Sequence, residues 1–127
     1  NLFLGAGWFR RFLQALTQLD HRRPMPAFDW GSNLRKLRRY LKSQPPVKNP
    51  IDQVAYFVDL YATYNDHALG RAVVDVLRHN RIEVILPPQK EVGMPALSYG
   101  AVDRARTIAG ANLAHLAEAV TNGYKII

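Results

Sequence analysis

The chain of 127 residues has no cysteine. That absence excludes disulfides, thiolate metal sites, thiol catalysis and any cysteine-ligated iron–sulfur cluster held by these residues alone. It suits a reducing compartment. No run of about 18 apolar residues occurs, so no transmembrane helix is expected. Acids are scarce at one end. Residues 1–50 hold ten Lys or Arg against only Asp20 and Asp29, a balance of +8, while residues 51–127 hold seven bases and eight acids. The net charge of +7 is therefore a property of the first fifty residues, and an anionic partner would meet them there. The dinucleotide fingerprint is missing too, because Gly5-Ala6-Gly7 follows no strand and lacks the third glycine. None of the four histidines, His21, His67, His79 and His115, pairs with another at metal-ligand spacing beside a carboxylate. Ser98 has neither a neighbouring base nor an elbow motif around it, so a hydrolase is disfavoured. No catalytic residue and no metal ligand is assigned.

What is present has the composition of one globular domain, with 48% hydrophobic and 21% charged residues. Phe9, Phe12, Leu13, Leu16 and Leu19 recur at helical spacing, with Arg10, Arg11, Gln14 and Gln18 on the other faces. The prolines of Arg22-Arg23-Pro24-Met25-Pro26 end that helix. Ser32 can cap a second helix, whose apolar stripe is Leu34, Leu37, Tyr40 and Leu41. Its other face carries Arg35, Lys36, Arg38, Arg39 and Lys42, a candidate partner-binding surface for an acidic protein or an anionic membrane. Aromatics are not interleaved with these bases for stacking, which disfavours nucleic acid. Gln44 to Pro50 reads as an extended, proline-rich linker. Two domains are expected: a basic helical arm with its linker over 1–50 and an α/β domain over 51–127.

Beyond the linker the periodicity changes. Val54-Ala55-Tyr56-Phe57-Val58 suits a strand buried on both faces. Asn65 or Asp66 can cap a helix striped by Leu69, Ala72, Val73, Val76 and Leu77, and Asn80 tolerates the left-handed conformation that ends one. Ile82 to Leu86 is a second strand, closed by Pro87-Pro88. A long loop runs from Pro88 to Gly100, followed by a helix over about 101–120 whose stripe includes Val102, Ala105, Ile108, Ala109, Leu113, Leu116, Ala117 and Val120. Tyr124 to Ile127 begins a third strand, after Gly123 as a helix stop. The expected fold class is α/β: a parallel sheet with βαβ crossover helices, preceded by two basic amphipathic helices. The loops Asp59–Tyr64 and Glu91–Tyr99 each follow the carboxyl end of a strand, so they are expected to lie side by side.

Three blocks carry a resemblance: Val54 to Asn65, Gly93-Met94-Pro95-Ala96-Leu97-Ser98-Tyr99-Gly100, and Asn122 to Ile127. From Val54 onward the chain resembles the cysteine-rich domain of iron–sulfur oxidoreductases. That domain occurs in heterodisulfide reductase, in anaerobic glycerol-3-phosphate dehydrogenase, and in the iron–sulfur subunits of glycolate and lactate oxidases. The basic part resembles the linker that follows the two ferredoxin-like clusters in the glycerol-3-phosphate dehydrogenase type. Family members often have Gly-Cys where this chain has Asp59-Leu60, and Cys-Cys-Gly where it has Glu91-Val92-Gly93. The loops are kept and the thiols are gone.

The resemblance implies a cysteine-free, truncated portion of an electron-transfer subunit. The missing initiator Met and the final strand, which stops at its hydrophobic start, give the same expectation of a longer polypeptide. No cofactor is expected in this chain, with 4Fe–4S clusters and FAD in the remainder or in partner subunits. The candidate cofactor-side residues are Asp59, Leu60, Tyr61, Glu91, Val92, Gly93, Met94 and Pro95. The expected partners are other redox subunits or domains, and the expected place is the cytoplasm, extending to the inner face of its membrane. The rival is a basic anion- or membrane-binding module with no redox role.

Overall fold

A computed structural model describes residues 6–23, 28, 29, 31 and 33–127. Its elements in chain order are α1 (Gly7–Thr17), α2 (Asn33–Ser43), β1 (Asp52–Ala55), α3 (Leu60–Tyr64), α4 (His67–His79), β2 (Ile82–Ile85), α5 (Met94–Ser98), α6 (Val102–Thr121) and β3 (Lys125–Ile126). The strands form one parallel sheet in the order β2-β1-β3, which is the expected α/β architecture. Val54 pairs with Val84 on one side and Lys125 on the other. Because β2 and β3 flank β1 on opposite sides, two crossovers of the same hand place α4 and α6 on opposite faces.

The core follows from the apolar run. Val54, Tyr56, Val58, Ala62, Val74 and Val84 are buried together, and Leu37 of α2 joins them with 2% of its surface exposed. Helix α2 therefore lays its stripe on the βαβ unit, with Leu34, Tyr40 and Leu41 packed at the margin. Polar contacts fix its position. Asn33 Nδ2 donates to Ala62 O at 2.6 Å, the Tyr40 hydroxyl donates to Asp75 at 2.5 Å, and the Arg71 guanidinium lies 4.2 Å over the Tyr40 ring. The linker follows the same body, because Arg78 donates to Pro45 O and Ile51 N donates to Arg81 O.

Several local expectations shift. Strand β1 runs over 52–55 rather than 54–58, although Tyr56 N still donates to Ile85 O and Phe57 N to Ile127 O. The segment after it is helix α3, not a bulky loop, because the Asp59 side chain accepts from Ala62 N and caps it. Asp66 caps α4 by accepting from Leu69 N at 3.0 Å. The left-handed residue that ends α4 is Arg81, with φ 58°, and not Asn80. The long loop contains α5, which starts after Gly93 at φ 76°. The buried line of α6 is Ile108, Asn112 and Ala119, while Val102, Leu113 and Val120 are exposed. The Ser32 cap and the prolines at 24 and 26 lie outside the described residues. Helix α1 ends at Gln18, φ 62°, and buries none of its residues.

Candidate functional site

The loops that leave β1 and β2 meet at the carboxyl edge of the sheet, where ligands gather in open α/β folds. Val58 N donates to Gln89 Oε1 at 3.0 Å, and Gln89 Nε2 donates back to Val58 O at 2.7 Å. One side-chain amide thus supplies both the acceptor and the donor that a neighbouring strand would offer. That exchange satisfies the backbone of Val58, three residues beyond the end of β1. Lys90 N donates to Asn112 Oδ1 at 2.8 Å, and Asn112 Nδ2 donates to Glu91 O at 3.0 Å. Asn112 is buried on α6, and both its amide oxygen and its amide nitrogen hold the loop. The two loops lie side by side, as their places after parallel strands led us to expect.

Between them is a recess of about 250 Å³ whose lining includes Val58, Leu60, Thr63, Gln89, Glu91 and Val92. Leu60 and Val92 are half-buried and offer only carbon. The Asp59 carboxylate is occupied as the α3 cap, 2.8 Å from Ala62 N. Glu91 is exposed, with Arg104 3.8 Å away. Tyr61 and Met94 face solvent, and Pro95 occupies the first turn of α5. Gly93 is buried with positive φ, a conformation a side chain would strain. Burial of the Tyr56 phenol beside this edge pushes its pKa up, and the Asp59 carboxylate adds to the rise.

These residues do not fit an iron–sulfur cluster. Such clusters are held by thiolates, and Asp59 and Glu91 offer only hard oxygen. Among the described residues no group of three His, Cys, Asp or Glu gathers that could hold a metal ion.

The chain is similar to the C subunit of anaerobic glycerol-3-phosphate dehydrogenase. The proteins of that name from Escherichia coli strain K12 and Escherichia coli O157:H7 are each 34% identical to it over 112 residues. The match covers 87% of this chain and 28% of each relative, so the chain spans little more than a quarter of their length. No family model matches the chain, and no solved structure matches it.

The basic face of α2 forms a second feature. Leu34, Arg35, Arg38, Arg39 and Lys42 surround an open concavity of about 470 Å³. The five cations are not equivalent. Arg38 donates to Pro87 O at 2.9 Å, two residues before Gln89, and Lys36 Nζ lies 3.1 Å from His67 Nδ1. Arg35, Arg39 and Lys42 make no ion pair among the described residues. Gln89 and Asn112 were not singled out in the sequence. Asn112 had a signal, a polar residue four places after Ile108 on a helix with apolar periodicity, whereas Gln89 had none.

Proposed function

We propose that this chain is a cluster-free segment of an iron–sulfur electron-transfer subunit, acting as a docking domain in a flavin- and quinone-linked dehydrogenase complex. The observation that carries this reading is the junction of the two strand-end loops. Side-chain amides of Gln89 and Asn112 hold the loops where related modules place thiolates. The retained loops then shape a surface or a pocket, and electrons travel through clusters in other domains. Arg35, Arg39 and Lys42 are the cations available to an acidic partner surface, steering its approach and setting its orientation. A seat at the inner face of the cytoplasmic membrane goes with that role.

The test is co-purification. The tagged chain is isolated from the cells that make it, and flavin and iron are measured per mole of chain. The expected result is flavin recovered with the wild type, and at least about tenfold weaker recovery for Arg35→Glu/Arg39→Glu, since like charges facing each other across an interface cost several kcal/mol. Equal flavin recovery with both proteins would remove the basic face from the interface. Wild-type recovery with anions but without flavin would favour the rival anion-binding module.

A further inference from the structure

We infer that the basic face of α2 and the recess between the strand-end loops form one site for a small organic diphosphate. The inference gives the cations of the docking face a second, soluble ligand, and it does not rest on the redox reading. Arg35, Arg38, Arg39 and Lys42 each lie three or four residues from two of the others, so the four make one patch on the helix surface. They surround the concavity of about 470 Å³, and no acid among the described residues lines it. None of the four makes an ion pair among the described residues. Like charges at this spacing repel, and an anion seated between them removes that repulsion. Arg38 is already oriented for the task. It donates from one terminal nitrogen to Pro87 O at 2.9 Å, which fixes the guanidinium and leaves further donors for a ligand. Such planar forks pair two donors with two phosphate oxygens.

The neighbouring cavity selects the rest of the ligand. Leu34 lines both the groove and the recess of about 250 Å³, so the two share a wall. The Thr63 hydroxyl donates to Asp59 O at 2.6 Å, and the Gln89 amide is exchanged with Val58. What the recess offers a ligand is therefore mainly the carbon of Leu34, Leu60 and Val92. A charged head on the arginines and an uncharged body in the recess fit this pair of cavities, and a nucleoside diphosphate has both parts. The groove is of small-molecule size, since such sites run to roughly 300–1,000 Å³. An acidic protein surface would cover the groove without entering the space between the loops.

The experiment titrates the full chain with inorganic pyrophosphate, ADP and adenosine in about 0.15 M salt, followed by calorimetry and amide NMR shifts. Pyrophosphate should bind and shift the amides of residues 35–42. ADP should bind at least about fivefold more tightly, as apolar burial in the recess predicts, and should also shift Leu60 and Val92. Adenosine alone should not bind. Arg35→Gln/Arg39→Gln should weaken both anions at least about tenfold, the loss expected for charge-assisted hydrogen bonds. Arg81→Gln/Lys125→Gln removes the same charge at the opposite edge of the sheet and should leave both affinities within about twofold, because salt screens distant charges. No pyrophosphate binding at this salt, equal losses in the two double variants, or ADP binding no tighter than pyrophosphate with Leu60 and Val92 unshifted would each overturn the inference. So would a poly-glutamate peptide that binds where pyrophosphate does not, which would assign the face to protein docking alone. Because no redox protein is present, these outcomes are independent of flavin co-purification.

Discussion

Helices α1 and α2 are both eleven residues long, both basic and both amphipathic, yet only one buries its apolar face. The difference lies in what surrounds the stripe. Helix α2 has a polar anchor at each end of its stripe: Asn33 to Ala62 O, and Tyr40 to Asp75 beneath the Arg71 guanidinium. Leu37 sits between them against Val54, Val58 and Val74. Helix α1 has larger apolar side chains, Trp8 and Phe12 among them, but makes no comparable contact with the sheet or its helices. Amphipathic spacing says that a face must be covered; partners distant in sequence decide what covers it.

The sharpest way to break the comparison is to truncate one side chain in each helix. Leu37→Ala should cost about 2–5 kcal/mol, as expected for a fully buried leucine. Phe12→Ala should cost less than about 0.5 kcal/mol, as at an exposed site. Urea unfolding of both variants checks this, and equal losses would mean that α1 also belongs to the core.

Removing the first anchor gives a smaller effect. Asn33→Ala leaves the buried Ala62 carbonyl without its donor and should cost about 1–3 kcal/mol. Gly70 bears on the same spot, since a Cβ there would stand 2.7 Å from Asn33 Nδ2. Gly70→Ala should therefore destabilise the wild type more than it does the Asn33→Ala protein, a coupling that a double-mutant cycle measures.

Arg38 extends the comparison to the site, because it ties α2 to Pro87 just ahead of the Gln89 clamp. Gln89→Ala removes two hydrogen bonds to Val58 and should cost about 1–2 kcal/mol. Amide exchange at Val58 should accelerate while that at Val74 changes only by the global loss.

The smallest effect is a control at the opposite edge of the sheet, where neither helix contributes a hydrogen bond. Lys125 Nζ lies 2.6 Å from Asp52 Oδ2, and this hydrogen bond, with that from Gln53 N, holds the Asp52 carboxyl below its usual pKa. A depressed carboxyl pKa stabilises the fold above the unfolded value, and that stabilisation is lost as pH falls through the folded one. Asp52→Asn should therefore narrow the stability difference between neutral pH and about pH 3, below the ordinary aspartate range. An unchanged pH dependence would show the pair to be an idle surface contact.

The sheet was legible because its strands are continuous apolar runs and its longer helices are periodic. Asp66 was legible as a cap because capping is local. The partner of Val58 beyond β1 was not, because it is the side chain of Gln89, 31 residues later. The buried line of α6 was misplaced for the same reason: Asn112 faces inward to serve Lys90 and Glu91, and periodicity counts it as polar. At the candidate site the sequence showed which side chains were lost, Leu60 and Val92 standing where thiols are expected. What replaced their hold on the loops became visible only in the structure.

The central claim is that this edge is self-supporting without iron. Native-state hydrogen exchange on chelator-treated protein tests it most directly, read at the amides of Val58 and Lys90, which donate to Gln89 and Asn112. Both should be protected nearly as well as the amide of Val74 in the buried part of α4, and adding iron and sulfide should change neither. Exchange at both amides as fast as in an open loop, slowing only when iron and sulfide are supplied, would contradict the claim.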